Sequence, residues 1–326
     1  MAENTITGLI PEIYEALDIV SRELTGMIPS ATMNASSNTA AVGQAIRIDV
    51  EPAGNVSNIA PAMTVPDPTG QTSGFTDIII TKSRAAEFGF LGEDQKGLNT
   101  GAGYGTVRAN KIAQAIRAVT NEVETDLCGL QSTFSRAHGT AGTAPFGTAN
   151  DYTDASNVLK ILKDNGSPLQ DNQLVINTTA GVNLLGKQAA VADAGSDSIL
   201  RQGVLLDING MPIRESAQIV DQAAGGIAGA ATTNAAGYAV GATVLTLAAG
   251  GTGNVVAGDV VTFAGDTNKY VVASAVFAGV NPAAGDTITL AAPGLRVAMT
   301  AATKAITKIA ASSRNMAFNR SAIVLA

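Results

Sequence analysis

The chain contains no tryptophan, a single cysteine and a single histidine in 326 residues, and aromatic residues make up only 4% of it. Cys128 alone cannot build an intrachain disulfide framework, and with His138 as the only histidine the common soft-ligand zinc sites are excluded. Basic residues are also scarce. Twenty Lys and Arg against 27 Asp and Glu give a net charge of −7, the wrong sign for a surface that grips nucleic acid by counterion release. No stretch reaches the roughly 18 consecutive apolar residues of a membrane span. The start, Met1-Ala2-Glu3-Asn4, lacks the basic and apolar regions of a signal peptide. A soluble, non-exported chain is expected, and the Asn-x-Ser/Thr triplets at Asn34, Asn55 and Asn177 are then not glycosylation sites.

What is present is aliphatic. Of the residues, 46% are hydrophobic, mostly Ala, Val, Ile and Leu, so cores are built from many small contacts, and the length suffices for two or three domains. Residues 10–24 carry Ile10, Ile13, Tyr14, Leu17 and Val20 at helical spacing behind Pro11, which predicts an amphipathic N-terminal arm. Alternation through Ile46, Ile48 and Val50, and the apolar run at Ile78 to Ile80, predict two strands. Between them lies a long stretch, 51–74, holding Pro52, Pro61, Pro66 and Pro68. A connection of that length without its own core tends to dock on something else. It is expected to reach for a partner.

After a glycine-rich hinge, 101–105, the strongest helical pattern follows: Ile112, Ile116, Val119, Val123, Leu127, Leu130 and Phe134, a rod on the order of 40 Å long. A Gly/Thr/Ala loop, 139–150, leads to a helix over 153–163 stopped by Asn165-Gly166 and Pro168. A short strand at 173–177, a helix at 179–188 and a hairpin of 204–207 with 212–216 around Asn209-Gly210 complete a small α/β lobe. From about 225 to 309 the composition turns to Gly, Ala, Thr and Val. Residues 225–236 are expected to be a linker. Strands are expected at 243–247, 259–263, 269–277, 287–290, 295–299 and 305–309, separated by Gly and Pro turns, and six short strands at this spacing suggest a closed barrel.

Catalytic chemistry finds little purchase. Cys128 and His138 could be imagined as a nucleophile and base, but Cys128 sits beside the apolar seam of the rod and reads as a small packed thiol. Gly101, Gly103 and Gly105 precede a helix as in a phosphate cradle, yet Lys111 lies too far on and no strand leads in. Glu122 with Asp126, and Glu93 with Asp94, pair carboxylates without another ligand type, and an acidic stripe facing solvent or a neighbouring subunit is the better account. No catalytic, cofactor or metal residue is assigned, and no enzyme activity is expected.

The string Thr120-Asn121-Glu122-Val123-Glu124-Thr125-Asp126-Leu127, continuing to Ser135-Arg136-Ala137-His138-Gly139-Thr140, resembles the major capsid proteins of tailed bacteriophages. More narrowly, it is similar to the podovirus-type branch with an inserted β-barrel. Residues 257–263, Ala292-Pro293-Gly294-Leu295 and the closing Asn315-Met316-Ala317-Phe318-Asn319 share in the likeness. The resemblance implies an α+β Hong Kong 97-type capsid fold. Its parts would be an N-terminal arm (1–36), an extended loop with flanking strands (37–100), a spine helix and peripheral domain (101–150), an axial domain (151–224), the inserted barrel (225–309) and a return strand (310–326).

It further implies a structural shell subunit in the virion, assembled in the host cytoplasm as hexamers and pentamers of itself. A separate scaffolding protein, a portal and a decoration protein would be partners, packaged DNA would be touched weakly and non-specifically, and no membrane would be involved. Subunit contacts are expected at Glu12, Glu15, Arg22, Pro61, Pro66, Asp67, Lys82, Arg84, Glu93 and Asp94. Coat proteins of this kind usually continue with further strands past the Asn-Met-Ala-Phe-Asn block, and a missing tail or an early closure is expected here. Lys82, Lys96 and Lys187 could serve a lysine–asparagine crosslink, but the branch is not a crosslinking one and no covalent bond is expected. The alternative from another class is a surface or adhesin-type binding protein with a β module.

Overall fold

A computed structural model of the chain describes residues 24–33, 42–50, 73–87, 89, 104–148, 151–187, 202–203, 205–222, 225–227, 231–279 and 281–325. The helix expected at 10–24, the proline-rich stretch and the first three residues of the glycine hinge lie outside these, except at their margins. So do Glu12, Glu15, Arg22, Pro61, Pro66, Asp67, Glu93, Asp94 and Lys96.

The long helical pattern forms α1, Tyr104–Gly129, followed by a tighter 3-10 turn, Leu130–Ser132. The helix therefore takes Gly105 of the expected hinge into its first turn and ends at Gly129 rather than continuing to Phe134. Its last turns bury Glu124, Leu127, Cys128 and, in the 3-10 turn, Gln131. These follow the i, i+3, i+4, i+7 spacing of one helix face.

Two further helices, α2 (Thr153–Asp164) and α3 (Thr178–Lys187), pack in the α/β lobe. The lobe's sheet is centred on β5, Asn172–Ile176, every residue of which is buried. A strand so enclosed must find backbone partners on both edges. It takes β6 (Ile213–Glu215) in parallel on one side and β13 (Met316–Asn319) antiparallel on the other. The expected hairpin at 204–216 is thus corrected. Asn209 and Gly210 do make the tight turn with positive φ, but pairing stops at one Ile208–Met211 bridge. Met211 and Ile213 are drawn instead into the core beside β5, because burying them against a central strand gains more than lengthening an exposed two-stranded ribbon.

Since β6 and β13 flank the same strand, the chain leaves the lobe after Glu215 and returns to it at Met316. The excursion builds a second sheet in the order β12-β9-β10-β11-β8-β7: Ile306–Lys308, Val260–Phe263, Lys269–Val276, Thr287–Leu290, Val244–Ala249 and Thr232–Thr233. A further strand, β4 (Arg136–Ala137), just past α1, pairs with β10. Alternate residues point inward, with burial running in steps of two along β8 and β11. They enclose Leu245, Leu247, Val261, Tyr270, Val272, Ile288 and Leu290. The two ends of the path meet where Thr232 bridges Ala305. Two expectations change here. Residues 232–233 of the presumed linker are a strand, and 295–299 is not: Leu295 and Met299 enter the core from a loop that touches Tyr238 through one bridge.

The two strands expected on either side of the proline-rich stretch, β2 (Ala45–Val50) and β3 (Gly74–Ile79), pair antiparallel. Near the two ends of the chain, β1 (Thr32–Met33) lies parallel to β14 (Val324–Leu325). A third core joins these parts: Met27, Ala31, Leu127, Cys128, Val175, Ile219, Met316, Phe318 and Ile323, with Phe134 edge-on to Phe318 at 6.0 Å.

Candidate functional site

The end of α1 carries three acids, Glu122, Glu124 and Asp126. At 100° per residue, Glu122 and Asp126 share a face while Glu124 points the opposite way. The two faces do different work. Outward, Asp126 receives the Lys82 ammonium on both oxygens at 2.6 and 2.7 Å, and Glu122 meets Arg84 at 2.8 Å. Lys82 and Arg84 are two residues apart and the acids four apart. Two steps of extended chain cover roughly 7 Å and four of helix about 6 Å, so the segment leaving β3 can run antiparallel along the helix with both pairs in register. Each pair is about half exposed, so each contributes roughly 0.2–1 kcal/mol and the pair of them sets direction more than stability. The acidic stripe is thus neutralised by the chain's own Lys82 and Arg84.

Inward, Glu124 is fully buried. Its Oε1 accepts the backbone N–H of Gly26 at 2.7 Å and of Met27 at 2.8 Å, and Oε2 accepts that of Ile28 at 3.0 Å. These amides open the short 3-10 turn Ile28–Ser30, where free N–H groups converge and favour an anion. Gly26 has to be glycine, since a Cβ there would come within 2.8 Å of both the Glu215 carbonyl and the Val175 side chain. Ser30 returns its hydroxyl to the Gly26 carbonyl and accepts from Arg214. The Thr32 N–H and hydroxyl donate to the carbonyls of Ile323 and Arg320. Residues 24–33 are therefore a socketed segment, held by helix, lobe and C-terminal strand together.

Beyond this knot stands the β2–β3 hairpin. Its face carrying Ile46, Ile48 and Ile78 is covered in part, whereas Phe75 and Ile79 on the other are more than half exposed. Arg47 lies 3.6 Å over the Phe75 ring and 3.2 Å from Asp77. An isolated two-stranded ribbon is marginal in water, and this one offers large apolar side chains to whatever covers it.

Of the predicted contact residues, the structure brings Lys82 and Arg84 together on α1 and describes none of the other eight. Glu124 escaped the sequence reading. Its charge argued for solvent, although its spacing to Leu127 and Cys128 placed it on the buried face. Cys128 has burial as the main cause of a thiol pKa pushed up to about 11. The nearby Glu124 adds to the shift and Ser216 opposes it, a poor setting for a nucleophile. His138 faces Asn157 and Asp154, while Cys128 touches Ser216, so the two share no partner. Lys187 donates to the carbonyls of Thr148 and Asp151 and sits over the rings of Tyr152 and Phe146. Among the described residues, no group of three or more His, Cys, Asp or Glu is placed to hold a metal ion, and no helix is long and apolar enough to cross a membrane.

No protein-family model matches the chain, and no curated protein does. Among solved structures it is similar to that of Mycobacterium phage Che8, at 14% identity over 91% of each chain with a TM-score of 0.44. It is also similar to the capsid of the cyanophage P-SCSP1u, at 15% identity over 90% of this chain and 88% of that one, TM-score 0.40. A third likeness is to the asymmetric unit of the bacteriophage PhiM1 mature capsid, at 14% identity over 90% and 86%, TM-score 0.42.

One carboxyl near the socket titrates usefully. Burial raises the Glu215 pKa above its ordinary 4.5, and its side chain occupies the room that Gly181 leaves by lacking one. The folded state therefore favours the protonated form, so this group's stabilising contribution is present below pH 4.5 and is lost as the pH rises through the raised value. Glu215→Gln is expected to melt about 1–2 °C higher than the wild type at pH 7 and level with it at pH 4. Equal differences at both pH values in a melting series would refute the assignment.

Proposed function

We propose that the chain is the major capsid protein of a tailed bacteriophage, a structural subunit that assembles with many copies of itself into an icosahedral shell around double-stranded DNA. The observation that carries this reading is the β2–β3 hairpin. It is an apolar-faced ribbon tethered by Lys82 and Arg84 to a long helix and left open on its Phe75 and Ile79 face, which suits a subunit whose surface is completed by its neighbours. The resemblance noted along α1 and at 315–319 supports the same assignment.

In this reading the fold is of the Hong Kong 97 type. Residues 1–36 are the arm, 37–100 the extended loop, 101–150 the spine helix and peripheral domain, and 151–224 the axial domain. The six strands of 225–309 are an inserted barrel, and 310–326 the return to the host lobe. The ten candidate contact residues lie on the arm, loop and hairpin exit, with Lys82 and Arg84 acting by aiming the loop. Hexamers and pentamers form in the host cytoplasm with scaffolding, portal and decoration proteins as partners. The net charge of −7 suits a container whose DNA must enter and leave freely. The role is structural and calls for no enzymatic step.

Negative-stain electron microscopy of the purified chain is the direct test. Closed shells, tubes or ring-shaped capsomers are expected. A discrete monomer that stays one even with scaffolding protein would overturn the proposal.

A further inference from the structure

The excursion that supplies six of the sheet's seven strands leaves and re-enters the lobe through two connections, at 216–227 and 309–315. Two covalent strands alone would form a hinge. Here both are gripped by one side chain. Gln131, at the end of α1 and 4% exposed, donates from Nε2 to the Val220 carbonyl at 3.0 Å and accepts at Oε1 from the Arg314 N–H at 3.1 Å. The outgoing and returning connections also bond each other, Gln222 N–H to the Ser312 carbonyl. The Arg314 guanidinium reaches the Gly258 carbonyl at 2.6 Å. Buried Asp259 accepts from Gly225 and Val256, and Lys308 donates to the Gly225 carbonyl. Gly258, with φ at +89°, lies so close to the end of α1 that a Cβ would stand 2.7 Å from the Ser132 Cβ.

A second contact lies elsewhere on the sheet. Asp164, at the end of α2, takes Arg136 and Arg296 at 3.5 Å each, and Arg136 also donates to Asn268. Arg136 is itself 4% exposed. The Gln131 and Arg136 side chains are nearly enclosed, so turning the sheet would leave their donors and acceptors short of partners.

We infer that the six strands of the excursion are clamped at a fixed angle to α1 by these two polar contacts together with the pairing of β10 to β4, with Gln131 as the positioning residue, and project as a rigid fin. The clamp is a property of the single chain and holds whether or not the chain builds a shell, so its failure and the failure of the capsid reading are separable.

Hydrogen exchange read by mass spectrometry on the full chain tests it. Gln131→Met keeps the volume and removes both polar bonds. It should speed exchange at 216–227 and 309–315 by about tenfold or more while β10 and β11 exchange as in the wild type. Gln131→Glu keeps the acceptor for Arg314 and loses the donor to Val220, and should give a smaller acceleration confined to 216–227. It carries the test if the methionine variant does not fold. Connections that exchange within twofold of the wild type would overturn the inference. So would acceleration spread through β10 and β11, since the sheet would then be unfolding and not merely unclamped.

Discussion

Glu124→Ala should cost about 4 kcal/mol of unfolding free energy in urea titration and release residues 24–33 from the body of the protein. The mutation leaves the N–H groups of Gly26 and Met27 without acceptors in a buried site and that of Ile28 without one in a partly buried site. Each buried orphan donor costs on the order of 1–3 kcal/mol. The loss also removes the counterweight that orders the 3-10 turn, so Met27, fully buried, and Ala31 lose their seat. Glu124→Gln separates charge from shape. Its amide keeps one acceptor but turns an NH2 toward one of the donors, and about half the loss is expected. Exchange at the three amides should rise with the alanine variant far more than elsewhere in α1. A variant as stable as the wild type, with those amides still protected, would show that the carboxylate is not what seats the segment.

The same residue marks where reading the sequence stops. Patterns that repeat along the chain were legible: the seam of α1, the Asn165-Gly166 stop of α2, and five of the six strands expected between 243 and 309 all rest on local periodicity and turn chemistry. Features made by distant partners were not. β1 and β14 are two residues each and pair across nearly the whole chain, which leaves no local signature. Asn209-Gly210 announced a turn truthfully, but what followed the turn was decided by β5, a strand 35 residues upstream that lacked an edge partner. Glu124 and Gln131 break the polar-out rule on a helix face, and only the amides they serve, at 26–28 and at 314, explain them. Glu122 and Asp126 were correctly placed on the outer face, yet their partners sit some 40 residues away. Spacing could say that the acids were exposed and could not say that Lys82 and Arg84 would meet them.

The hairpin calls for a substitution that spares the subunit and strikes only its contacts. Phe75 and Ile79 lie on one face of β3, opposite Asp49 and Ala45 on β2, and are 55% and 58% exposed. Because more than half of each residue is exposed, changing both to Asp should leave the subunit's melting temperature within about 2 °C of the wild type. Assembly should respond very differently. If a neighbouring copy covers this face, the double variant forfeits roughly 1–1.5 kcal/mol of apolar burial at each position and places two carboxylates in a desolvated contact, beside the Asp77 already there. Every subunit in a closed shell repeats the contact, so the penalty multiplies across the particle and the yield of shells should fall by well over tenfold. Arg47 gives an internal control. Arg47→Ala removes the cation over Phe75 and the pair with Asp77 but leaves the apolar face intact, and should reduce assembly far less. Sedimentation of the three proteins side by side decides the matter. Shells formed by Phe75→Asp/Ile79→Asp at the wild-type yield would mean that this face of the hairpin is not where copies of the chain meet.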